Sequence, residues 1–286
     1  MPDKFDRRNF LKTLISAFSV ALAAENAFSM NFAAPEKLPK IGLQLYTVRK
    51  EMEKDFAGTL SKIAATGYRE VEFAGYFANS PKDVKKILDK NDLTAPSAHI
   101  SLKDIRENLD KTIESASIIG HKYLICGYLA AEERKTPDAY KKLAALFNSA
   151  GEKCQKAGIR FGYHNHDFEF ASIDNTIPYD ILLKETDADL VKMELDLYWI
   201  AKAGRDPLEY FAENPNRFAL LHVKDMDATP KKDFTEVGRG VINFREIFAQ
   251  AKKAGIRHYF VEQDKTPASP FESVKVGYDY LKKLDF

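Results

Sequence analysis

Val191-Lys192-Met193-Glu194-Leu195-Asp196-Leu197 is the stretch on which the fold turns. Alternate residues of a strand point to opposite faces. Val191, Met193, Leu195 and Leu197 therefore form an apolar stripe, and Lys192, Glu194 and Asp196 a charged one. Helices covering such a strand need the apolar stripe on their side, so the charged stripe looks into an enclosed space.

Outward from this stretch the same pattern repeats. Short β-rich runs fall at 41–46, 69–74, 94–99, 123–127, 159–164, 191–196, 218–223 and 258–262. Amphipathic helical candidates lie between them at 56–66, 82–91, 105–119, 138–157, 244–254 and 271–283. Gly67, Gly120, Gly158 and Gly255 follow helical stretches and precede strands, as a left-handed helix end requires. Strict alternation of strand and helix implies a parallel sheet, and eight units in this length imply an α/β fold of the (β/α)8 TIM barrel type. A doubly wound open sheet is the competitor, but no Gly-x-Gly-x-x-Gly follows the first run.

Parity then assigns the lumen. The first run sends Gln44 and Tyr46 inward, the second Glu70 and Glu72, and the third Ser97 and His99. The last four runs each end on a polar i,i+2 pair: His164/His166, Glu194/Asp196, His222/Lys224 and Glu262/Asp264. So many ionisable groups in one lumen are costly without partners, and a cation offsets that cost. Asp196, His222 and Glu262 at three consecutive strand ends are the expected ligands of one divalent ion, Mn, Co, Mg or Zn. Each also has a plainer role as a hydrogen-bonded structural group. Glu194 is read as such a group, neutralised by Lys192 or Arg160.

Composition narrows the function classes. With 45% hydrophobic and 30% charged residues in 286, the chain builds one large core or two small ones. A net charge of +1 argues against a nucleic-acid partner. The two cysteines, Cys126 and Cys154, are read as free, partly buried thiols. At the N-terminus Arg7-Arg8-Asn9-Phe10-Leu11-Lys12, the apolar stretch 13–24 and the small residues near Ala27 stand in the order basic, apolar, cleavable. The order resembles a twin-arginine export signal over residues 1–30, with a single barrel domain over 31–286. It implies a periplasmic protein without a stable membrane span, since the apolar run is too short to stay in a bilayer.

The chain resembles the xylose-isomerase-like sugar isomerase/epimerase superfamily. The residues that carry the resemblance are Gly42 to Arg49, Tyr163-His164-Asn165-His166-Asp167-Phe168-Glu169-Phe170, Glu194 to Trp199, His222-Val223-Lys224-Asp225, Gly238 to Phe244, and Val261-Glu262. It implies a divalent ion held by Asp196, His222 and Glu262, together with a strand-five carboxylate for which this chain has His164. It also implies proton transfer beside a carbonyl. The expected reaction is isomerisation or epimerisation of a keto-sugar or keto-glycoside, with a dehydratase-like elimination on a keto-glycoside or inosose-like substrate as the alternative. Glu262 is expected to be ligand and base, His166 or His99 the opposing acid or base, and Lys224 the oxyanion partner. His166 and His99 are chosen because an imidazole titrates near working pH. Gln44, Tyr46, Trp199 and Glu72 are expected to touch a carbohydrate, whereas Phe168 is read as packing. Gly238-Arg239-Gly240 offers either an anion cradle or a turn. An apurinic-endonuclease-like barrel with three zinc ions and a non-catalytic sugar-binding barrel are the other classes weighed. Barrels of this type are often homo-oligomers, and the sequence leaves that state open.

Overall fold

The computed structural model describes residues 36–266 and 269–286. The proposed export signal lies outside them. Residues Lys37–Phe286 form a compact unit built on a closed barrel of eight parallel strands: β1 (Gly42–Gln44), β2 (Glu70–Phe73), β3 (Thr94–Ile100), β4 (Tyr123–Cys126), β5 (Arg160–His164), β6 (Val191–Asp196), β7 (Phe218–Val223) and β10 (His258–Val261). A short hairpin, β8 (Asp225–Met226) and β9 (Phe234–Thr235), stands outside the barrel sheet.

The expected parity is observed. Leu43, Val71, Phe161, Tyr163, Val191, Met193, Leu195, Leu221 and Val223 all join the apolar layer between sheet and helices. Burying a side chain of this size contributes roughly 1.5–3 kcal/mol, so a register slip that turned these stripes inward would be prohibitive. The helix Phe56–Thr66 begins where Asp55 accepts from the Gly58 N–H, and the helix Phe244–Ala254 where Asn243 accepts from Glu246. Gly120 and Gly255 end their helices in the left-handed conformation, at φ 99° and 94°.

Two expectations change. The stretch 105–119 is two helices, Leu102–Glu107 and Leu109–Ile119, because Asn108 leaves helical geometry between them. Strand one stops at Gln44, whose side chain accepts from the Tyr46 N–H and starts a 3-10 turn, Leu45–Val48. Tyr46 is thereby lifted from the lumen to the rim, 42% exposed. Among the described residues no helix is long and apolar enough to cross a membrane.

The lumen is layered. At its amino-terminal end Glu70 pairs with His258 at 2.8 Å and with Lys40 at 3.6 Å. Above it a plug of Tyr123, Ile125, Leu220 and Phe260 forms a separate apolar cluster. Phe260 fills the axis because β1 carries Gly42 there, where a Cβ would collide with the phenyl ring. The polar layer above rests on this plug.

Candidate metal centre

Strand register brings the carboxyl-terminal polar residues level. Asp196 pairs with His222 across β6 and β7, and His164 with Glu194 across β5 and β6. His222 is completely buried at the centre. Its Nδ1 lies 2.8 Å from Glu262 Oε2 and 3.9 Å from Asp196 Oδ2, and its Nε2 lies 2.6 Å from Glu72 and 3.2 Å from Glu194. Asp196, His222 and Glu262 thus converge, and His164 stands at their edge with its Nε2 3.8 Å from Asp196 Oδ2.

Asp196 is held for this task. One oxygen accepts from the Tyr198 and Trp199 N–H groups and caps the helix Leu197–Lys202, while the Asp196 N–H donates to Asn165 Oδ1. The other oxygen, Oδ2, is buried without a hydrogen-bond partner. Donor atoms of Asp196, His222 and Glu262 lie within 4.8 Å of one another. An orphaned buried carboxylate oxygen facing an imidazole and a second carboxylate fits a divalent ion.

Lys224 closes the layer on one side. Its ammonium is 2.8 Å from Asp264, 3.1 Å from Glu262 and 3.3 Å from Asp196. Burial works against its charge, but these three carboxylates hold its pKa above the ordinary lysine value. Glu262, despite burial, is held well below the usual carboxylate range by Lys224 and His222. Burial dominates at Asp196 and lifts it to about 6.

A cavity of about 850 Å³ opens above this layer, and Tyr46, His99, His164, His166, Lys224 and Glu262 all line it. Three expectations change here. Gln44 and Glu72 are fully buried below the cavity, where Gln44 donates to Glu72 at 2.7 Å and Ser97 donates to Glu72 at 2.5 Å; they support His222 and lie away from the cavity wall. Glu194 does not pair with Lys192, whose ammonium donates to the Asn216 carbonyl; it faces His99, His164 and His222 at 2.6, 3.2 and 3.2 Å. His166 does not titrate near neutrality, because burial and the nearby His164 and Lys224 push it down to about 2. It is a neutral imidazole, stacked on Phe168 at 5.3 Å.

His99 behaves oppositely. Burial acts to lower its pKa, but Glu72 and Glu194 outweigh it and raise the value. Its ring packs so closely on the Gly127 backbone that a Cβ there would lie 2.5 Å from Nδ1. Trp199 stands behind the wall, 5.4 Å from the His166 ring and 5.3 Å beneath the Lys224 ammonium.

Sequence reading missed three supporting groups. Asn165 ties the end of β5 to β6. Glu169 accepts from Tyr163 and from the His166 N–H and so fixes the strand-five turn; burial raises it to about 8. Asp225 accepts from the N–H groups of Gly238, Gly240 and Ile242. The Gly238-Arg239-Gly240 segment is therefore a turn wrapped around an internal carboxylate. In the stretch after β5, Asn165 is recognised by a partner distant in sequence, Asp196, whereas Glu169 is bound locally by Tyr163 and His166.

The chain is similar to known proteins in sequence and fold. The inosose dehydratase of Lacticaseibacillus casei is 23% identical over 270 residues, covering 80% of this chain and 89% of that protein. A sugar phosphate isomerase/epimerase structure from Parabacteroides distasonis superposes with a TM-score of 0.73 at 30% identity, covering 89% and 97% of the two chains. A structure of the IOLI protein with a bound zinc atom shares the fold, with a TM-score of 0.69 at 14% identity over 84% and 95%. With residues 60–284 matching the family as a whole, the chain belongs to the xylose isomerase-like TIM barrel family.

Proposed function

We propose that the protein is a metal-dependent lyase that eliminates water, or a glycosidic oxygen, beside the carbonyl of a keto-cyclitol or keto-glycoside. The observation that carries this reading is the placement of Glu262 and Lys224 on one wall of the cavity, with Oε2 and Nζ 3.1 Å apart. A carboxylate beside an ammonium serves two neighbouring substrate atoms on one face: the carbon-bound proton and the departing oxygen. Epimerisation requires proton removal and return on opposite faces, for which a second carboxylate on strand five would be suited; His164 stands there instead.

The reaction divides among the chain's own groups as follows. Glu262 takes the proton next to the carbonyl. Lys224, kept charged by Asp264, donates to the departing oxygen and stabilises the negative charge that develops. His166, neutral, accepts a hydrogen bond from a substrate hydroxyl and orients the ring. Tyr46 at the rim stacks on the substrate. His164, Asp196, His222 and Glu262 would hold a divalent ion, which would supply Lewis-acid polarisation of the carbonyl. The inosose dehydratase relatives point the same way. We place the reaction in the periplasm on the strength of the twin-arginine-type leader.

A second reading, ketose epimerisation, draws on the 30% identical isomerase/epimerase structure and on His166 as the opposing group. One experiment separates the two. Metal-loaded protein is incubated in D2O with an inosose and with a panel of ketoses, and products are followed by mass spectrometry. Elimination gives a product lighter by one water, and Glu262→Gln slows its formation about 10²–10⁴-fold while the substrate still binds. Deuterium incorporation without loss of water would replace the lyase with the epimerase.

A further inference from the structure

Beneath the expected ligands lies a second donor set, which shares His164 and His222 with the first and adds His99 and Glu194, two groups the proposed reaction does not use. His99, His164, Glu194 and His222 each offer a ligand atom, and all four atoms lie within 4.8 Å of one another. The three imidazoles are arranged around one carboxylate oxygen: Glu194 Oε2 is 3.2 Å from both His164 Nδ1 and His222 Nε2, and 2.6 Å from His99 Nε2. With metal–ligand bonds of about 2.0–2.1 Å, neighbouring donors of a tetrahedral ion stand roughly 3.3 Å apart. Two of the three separations already match.

Two buried atoms in this set lack any hydrogen-bond partner: His164 Nδ1 and Glu194 Oε1. Their residues are 3% and 0% exposed. Buried polar atoms are almost always satisfied, and here both orphans belong to the same donor set. The outer group, by contrast, already faces a fixed cation, since the Lys224 ammonium touches Asp196 and Glu262. Among the described residues the ion pairs of Glu194 are with histidines alone.

We propose that His99, His164, Glu194 and His222 form a second divalent-cation site below the first, taking a nitrogen-preferring transition ion such as zinc or cobalt. Three imidazoles and one carboxylate favour such ions over magnesium. His222 and His164 join the two sites: His222 presents Nε2 to the deeper ion and Nδ1 to Asp196 and Glu262, and His164 presents Nδ1 to the deeper ion and Nε2 to Asp196. Binding through both nitrogens displaces every N–H proton of each ring to solvent, as ligation of a protonatable donor requires. Glu72, anchored by Gln44 and Ser97, holds His222 Nε2 at 2.6 Å, a hydrogen bond that the deeper ion would replace.

The test uses stripped full-length protein titrated with cobalt(II), read by visible absorption and by metal content after desalting. The wild type is expected to bind about two ions per chain, with intense tetrahedral-type bands from the deeper one. Glu194→Gln and His99→Gln should each remove those bands and leave about one ion, whereas Asp196→Asn should keep the bands and lose the other ion. His99 is the safer of the deep substitutions because its side chain is 17% exposed at the cavity wall; circular dichroism confirms that each variant is folded. A wild type that binds a single ion, lost in Asp196→Asn and indifferent to both deep substitutions, overturns the deeper site. That outcome leaves the outer ion and the elimination chemistry standing. Failure of the elimination assay in protein carrying both ions would remove the reaction and leave the deeper site intact.

Discussion

The two ends of the barrel lumen are built from the same residue types and behave differently. At the amino-terminal end Glu70 has both His258 and Lys40, and Lys192 has the Asn216 carbonyl. At the carboxyl-terminal end Glu72, Glu194, Asp196, Glu262 and Asp264 surround one lysine and several imidazoles, and Glu194, Asp196 and His164 each keep an unpartnered buried atom. Polar residues in a barrel therefore do not mark a site by themselves. A surplus of donors without partners does, and here the surplus lies entirely above the plug.

That contrast breaks most severely if the plug is removed. Phe260 is fully buried between the two layers, and its ring stands edge-on to His222 with centroids 6.4 Å apart. Phe260→Ala should cost about 3–5 kcal/mol in stability, measured by denaturant unfolding of metal-free protein. It should also weaken metal binding in a titration, because water reaches His222 from below and the ring loses its stop. Unchanged metal affinity in a destabilised variant would show that the upper layer holds its geometry without the plug.

Much of this was legible in sequence because strand parity is a local property. The ranges of β6 and β7 coincide with the expected runs residue for residue, and the convergence of Asp196, His222 and Glu262 follows from parity and strand order. Short helices were not legible. Arg49–Lys54, Leu197–Lys202 and Pro207–Glu213 span six or seven residues, too few to display a 3.6-residue period. Depth was not legible either. Parity puts Glu72 and Glu262 on the same inner face, yet Glu72 sits under His222 and Glu262 beside the cavity, because register between distant strands sets height. The depressed pKa of His166 likewise depends on burial and on Lys224, which only the closed barrel brings near, as well as on its neighbour His164.

A smaller effect comes from a histidine outside the lumen that is fully satisfied. His121 Nδ1 donates to the Ala95 carbonyl at 2.6 Å and its Nε2 accepts from Tyr76 at 2.9 Å, so the buried ring is neutral. Burial pushes its pKa down to about 4 from an ordinary 6.5. Between those values the unfolded chain binds a proton that the folded chain refuses. Stability from this group is thus complete above about pH 6.5 and is lost as pH falls towards 4, by about 3 kcal/mol in all. Comparing unfolding of wild type and His121→Gln at pH 7.5 and 4.5 isolates the effect, since the glutamine variant lacks this slope. Equal slopes would mean that the satisfied imidazole tolerates its proton.

The smallest effect is expected at the amino-terminal end of the lumen. His258→Ala deletes the 2.8 Å contact to Glu70, but Lys40 remains 3.6 Å from the other carboxylate oxygen and the His258 side chain is already partly open to solvent. Glu70 is itself buried but keeps Lys40, so the cost should be about 1–2 kcal/mol, with turnover and metal content unchanged. His222→Ala removes the same side chain from the same face of the neighbouring strand, yet leaves Glu72, Glu194 and Glu262 facing an empty centre, which should cost about 3–5 kcal/mol in metal-free protein. Measured side by side, the two alanine variants test whether the surplus of buried donors, rather than the presence of a lumenal histidine, is what separates the functional end from the structural one. Equal losses would erase the distinction.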